Sequence, residues 1–141
     1  MFLDGKAKTL TIVKEKQHSY VFGGFTENAW DSTSEWKGDA NAFIFSLINK
    51  ENSPLKMKKK PNPVIQLNDP FSTYNHSDYG PSFAEDIVIA NNSNINKDSY
   101  SRLGRSYSHP IYAYGTTEAQ TFLAGSNKFL TSEIEVYKII K

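Results

Sequence analysis

Cysteine is absent from this 141-residue chain, which excludes disulfides, thiol redox chemistry and thiolate metal sites together. An excess of one charge is absent as well, because 16 Lys+Arg stand against 15 Asp+Glu and leave a net charge of +1. So weak a field argues against a nucleic-acid or anionic-lipid binder. No apolar run approaches the ~20 residues of a membrane span, and the first residues, MFLDGKAKTLTIV, contain no signal-type hydrophobic stretch. The expectation is a cytoplasmic protein without membrane insertion. Its length suits one hydrophobic core and no composition shift divides it, so residues 1–141 read as a single domain.

Catalytic and cofactor signatures are also scarce. His18, His76 and His109 fall in turn or loop sequence, and none belongs to a ligand pair such as H-E-x-x-H. There is no G-x-S-x-G elbow, and Gly23-Gly24, Gly80 and Gly104 assemble no phosphate-binding loop. The Asn- and Ser-rich residues 91–101 lack the spaced acids of a calcium loop. No cofactor and no metal are expected. The lysine cluster KMKKK at residues 56–60 alternates with Met57, which places most of its charge on the solvent face of a strand.

What the chain does contain is short β-type segments. Residues 9–13 (TLTIV) and 20–25 (YVFGGF) predict a hairpin, with Gly23 and Gly24 marking a bend or a close approach inside the second strand. Residues 42–47 (AFIFSL) and 55–58 (LKMK) predict a second hairpin, and residues 64–67 (VIQL) and 86–89 (DIVI) two further strands. Only residues 117–124 (TEAQTFLA) suit a helix, of a turn or two. Many short strands with irregular connections indicate two packed antiparallel sheets. Hydrophobic residues make up 38% of the chain and aromatics 13%, so aromatic side chains must fill much of the interior. The expected core is Trp30, Trp36, Phe43, Phe45, Phe122 and Val136.

In the last strand pattern Glu133 and Glu135 share one face and Ile134 and Val136 the other. Two acids on one face suit a solvated, charge-paired strip better than a metal or acid–base pair.

The ordered set YVFGGF at Tyr20, Trp30, Trp36, DANAFIFSL from Asp39, YGPSF from Tyr79, DIVI from Asp86, FLAGS from Phe122 and SEIEVYKI from Ser132 resembles the TLDc domain family. It is closer to the protist forms than to the animal oxidation resistance proteins. The resemblance implies a sandwich of two antiparallel sheets flanked by short helices. It also implies protection against oxidative stress and, for several members, binding to the vacuolar proton ATPase and control of its assembly. Gly23 and Gly24 match the family's strand glycines, Gly80 and Phe83 its glycine-rich turn, and Glu135 the acid of its final strand. Ala84-Glu85 departs from that turn, where relatives often carry another glycine. The helical segment that usually precedes the first strand in the family is not expected here, because the first strand begins near Thr9.

Three functions follow as expectations. The first is a non-catalytic protein-interaction module. The second is an enzyme or small-ligand binder using Glu135 with His109, Asp86 or another loop group. The third is a sugar-binding sandwich built on Trp30, Trp36 and the Asn-rich loop.

Overall fold

The computed structural model describes residues 5–60 and 72–140. The expected strand at residues 64–67 lies outside them. Among the described residues the structure is mainly β, with strands β1 (Thr9–Glu15), β2 (Val21–Thr26), β3 (Trp36–Lys37), β4 (Phe43–Ile48), β5 (Leu55–Lys58), β6 (Thr73–Tyr74), β7 (Ser99–Tyr100), β8 (Lys128–Phe129) and β9 (Thr131–Lys138) and one helix, α1 (Thr117–Phe122). Five strands form an antiparallel sheet in the order β5-β4-β2-β1-β9, and β3-β6 and β7-β8 form two small ribbons. Both expected hairpins are present, as β1-β2 and β4-β5.

The register sorts the side chains onto two faces, because successive residues of a strand point to opposite sides. On one face the cross-strand row Val136, Thr11, Gly24, Ile44, Met57 lies beside the row Ile134, Val13, Phe22, Ser46, Leu55. This inner face carries the core. Phe22 meets Phe129 of β8 edge-on at 5.5 Å, and Trp30 meets Phe83 in the same manner at 5.6 Å. The second layer is thus a set of loops and short ribbons bearing Trp30, Phe83, Ile87, Leu103, Tyr107 and Phe129.

Two elements differ from the sequence reading. Residues 86–89 do not form a strand. They are buried throughout but reach their neighbours through isolated bridges, Phe83 with Ile87 and Val88 with Tyr100. Four apolar-rich residues report burial; whether a partner backbone runs beside them for more than one pair is a tertiary matter. The expected core also divides. Trp30 and Phe122 are buried within it and Val136 packs against it, whereas Trp36 is 36% exposed and Phe43 only half-buried. Trp36 sits on the two-residue β3 and lies against Tyr74 across the ribbon, with ring centroids 4.6 Å apart. Phe43 and Phe45 share the outer face of the sheet, because Ile44 between them takes the inner one, and Phe45 is buried there, 7% exposed, with its ring over Gly23.

The loop from residue 26 to 42 is held by named bonds. The Trp30 indole N–H donates to Thr9 Oγ1 at 2.9 Å, and Asp39 Oδ2 accepts from Thr26 Oγ1 and the Glu27 N–H, each at 2.7 Å. Helix α1 starts at Thr116, whose hydroxyl accepts from the Ala119 N–H at 3.2 Å, the usual N-cap bond.

Candidate functional site

The best-defined polar centre in the fold is Asp86, which the sequence reading treated mainly as the start of a strand. Its side chain is fully buried, and its carboxylate accepts from the backbone N–H groups of Gly104, Ser106 and Tyr107, each at 3.0 Å. One side chain thereby fixes the backbone of residues 104–107. Burial drives the carboxyl up to about 7, while the N–H donors of Tyr107, Ser106 and Gly104 and the charge of Lys59 pull the other way. The same segment is tied to the sheet edge, since Ser108 N–H donates to Lys58 O at 2.9 Å and Lys60 N–H to Ser106 O at 2.8 Å. Tyr107 Oη donates to Ser72 O at 2.6 Å.

From this anchor the chain runs into the loop 109–115. His109 Nδ1 accepts from the N–H groups of Ile111 and Tyr112, both at 3.0 Å, so the imidazole is neutral with its proton on Nε2. Burial lowers its proton affinity further, opposed by Glu51. The ring stacks on Tyr112 at 4.4 Å and meets Phe122 edge-on at 4.5 Å. Gly104, at φ 102, lies so close to Tyr114 that an added Cβ would stand 2.9 Å from that residue's backbone. Tyr112 Oη donates to Glu51. The loop is therefore held by backbone bonds, ring packing and a close approach, and what it presents to solvent is Ile111, 77% exposed, with the half-exposed Tyr114. The sequence reading missed it, although a histidine followed by proline, isoleucine and two tyrosines gives a local signal: a turn carrying large apolar side chains.

The residues singled out from the sequence occupy separate places. Gly23 and Gly24 are at the middle of β2. A Cβ on Gly24 would stand 2.7 Å from the Phe83 ring on the inner face, and one on Gly23 would collide with Thr11 O and the Phe45 ring. Phe83 is buried in the core, and Gly80 donates its N–H to Ile89 O at 2.6 Å with ordinary space around it. Ala84 adopts a left-handed φ of 54, the conformation glycine takes without steric cost. Glu135 is exposed on β9 and accepts from Tyr137 Oη. It stands on the outer face of the sheet, whereas Asp86 and His109 belong to the layer on the inner side, so the three do not converge. Among the described residues no cluster of three or more His, Asp or Glu side chains could hold a metal ion.

The remaining histidines have structural partners. His18 packs on Tyr20 at 5.0 Å and approaches Glu15, whose buried carboxylate accepts from the Gln17 and His18 N–H groups at 2.7 Å and so closes the β1-β2 turn. His76 Nδ1 accepts from the Asp78 N–H at 3.0 Å.

A mainly β, antiparallel fold in which loops carry Trp30, Phe83 and Tyr107 of the core as well as the exposed Ile111 is a scaffold of the loop-presenting kind. The family model for the TLDc domain matches residues 2–140, and the chain belongs to that family. Membership suggests a role in protein interaction or in the response to oxidative stress. No curated protein matches the chain. Among the described residues no helix is long and apolar enough to cross a membrane.

Proposed function

We propose that this is a non-catalytic docking domain of the cytoplasm, which engages a protein partner through the tip of the loop 109–115. The observation that carries the reading is Ile111, 77% exposed on a loop whose backbone is held by Asp86 just before it and by His109 at Ile111 and Tyr112 within it. A large apolar side chain held out from a rigid loop is expensive in water and loses little entropy on binding, which is the economy of an interface anchor. The family resemblance supplies the candidate partner, the vacuolar proton ATPase, and the setting, protection against oxidative stress. The test is binding of the purified domain to the purified ATPase, with Ile111→Asp beside the wild type. The reading expects binding about tenfold or more weaker in the variant, with an unchanged melting temperature. Wild-type binding that survives the substitution would remove the loop tip as the anchor, and no binding by the wild type would remove the named partner.

A second reading is carbohydrate contact at Trp36, 36% exposed and packed on the half-buried Tyr74 with tilted rings 4.6 Å apart. Trp30 has no part in it, being 1% exposed. Binding on a glycan array that is abolished by Trp36→Ala would favour this reading over protein docking.

A further inference from the structure

The inner face of the five-stranded sheet is covered by the core, and the outer face is built as if it too had an occupant. Its cross-strand rows, read from β9 to β5, are Tyr137, Leu10, Phe25, Phe43, Lys58 and Glu135, Ile12, Gly23, Phe45, Lys56. The centre is apolar: Phe25 and Phe43, both half-buried, stack at 5.4 Å, and Phe45, 7% exposed, stands 6.4 Å from Phe43 outside the cluster that fills the inner face. Gly23 is bare so that the Phe45 ring can lie down over β2. Leu10, Ile12, Phe25 and Phe43 are only half-buried, so the strip keeps apolar surface that a second layer can cover.

The charges at its borders choose the occupant. The β5 border is basic, with Lys56 and Lys58, and Lys56 Nζ stands 4.2 Å over the Phe43 ring. The β9 border carries Glu133 and Glu135, with Lys14 of β1 across from Glu133. A face that is basic on one side, acidic on the other and apolar between is complementary to itself. A two-fold axis parallel to the strands and passing over β2 turns the face over and exchanges its borders. Lys56 of one copy then stands over Glu135 of the other and Lys58 over Tyr137. Phe43 and Phe45 oppose Leu10 and Ile12, and Phe25 meets its own counterpart on the axis. Aligned packing of two sheets, about 10 Å apart, brings these rows together.

We propose that the outer face of the β5-β4-β2-β1-β9 sheet is the interface of a two-fold homodimer, bordered by Lys56–Glu135 contacts between the copies. This does not rest on the docking reading, which uses the tip of the loop 109–115. Because all four charged positions are exposed, they can be reversed without touching the core. Each of K56E/K58E and E133K/E135K makes both borders of its own dimer alike in sign, while a mixture of the two restores opposite signs at both.

Sedimentation equilibrium decides the matter. The wild type should be a dimer that dissociates on dilution, each charge-reversed protein should dimerise at least about tenfold more weakly, and the mixture should recover a heterodimer. Recovery also shows that both variants are folded. A wild type that is monomeric at every concentration, a dimer that the reversals leave intact, or variants whose mixture stays monomeric would each overturn the proposal.

Discussion

Gly24 and Phe83 occupy one space: an added Cβ on Gly24 would lie 2.7 Å from Cε1 and Cζ of the Phe83 ring. Strand β2 thus gives up a side chain so that an aromatic ring from the loop layer can lie against its backbone. Phe83 is fully buried and the same ring supports Trp30, so the glycine determines where the second layer sits.

Gly24→Ala should therefore destabilise the domain by about 1–3 kcal/mol, the usual cost of overpacking. Gly23→Ala should cost more, because the nearest atom there is the backbone oxygen of Thr11, which cannot turn aside as a ring can. Chemical denaturation of both variants checks the order. Adding Phe83→Leu should recover part of the loss in Gly24→Ala and none of the loss in Gly23→Ala, since only the former clashes with Phe83.

The two tryptophans should separate in the same way. Trp30→Ala removes a buried indole and its bond to Thr9, at a cost of about 3–5 kcal/mol. Trp36→Ala removes a partly exposed ring packed on Tyr74, and about 1 kcal/mol is expected, near the value of an aromatic pair. Denaturant midpoints that coincide for the two variants would show that the β3-β6 ribbon contributes as much as the core does.

These contrasts show what was readable beforehand. Alternation made β9 legible, down to the outward Glu133 and Glu135 and the inward Ile134 and Val136, because that strand has one wet face, while β1 and β2 were legible as β-branched and aromatic runs on either side of a polar turn. It failed for FIFSLI, where both faces are apolar and nothing local says that Ile44 rather than Phe43 points to the core. Burial, not pairing, was what DIVI announced. Trp36 was misplaced because its size argues for packing of some kind, and a two-residue ribbon with Tyr74 satisfies that argument at the surface. The grip of Asp86 on residues 104–107 joins segments 18 to 21 residues apart, and no spacing rule connects a carboxylate to backbone donors that far along the chain.

The same carboxylate supplies the last prediction. In the unfolded chain Asp86 titrates near the ordinary 3.8, and in the fold burial raises it to about 7. The folded state therefore holds the proton more tightly, and the stabilisation that this provides is complete below pH 3.8. It declines as pH rises toward 7, and above that the folded chain carries an ionised carboxylate out of reach of water. Each tenfold difference in proton affinity is worth about 1.4 kcal/mol, so the decline across this window amounts to a few kcal/mol. Asp86→Asn keeps the shape without the titration. It should lose about 1–3 kcal/mol at low pH, because its amide N–H₂ faces backbone donors that the second oxygen had satisfied. The relevant quantity is the stability of the wild type minus that of Asp86→Asn, which cancels other titrating groups such as Asp31. That difference should favour the wild type near pH 4, fall as pH rises, change sign in favour of Asp86→Asn before pH 7 and level off above it. A difference that stays constant or grows with pH would mean that the three N–H donors outweigh burial and keep Asp86 ionised in the fold, making it a charged clasp on the loop.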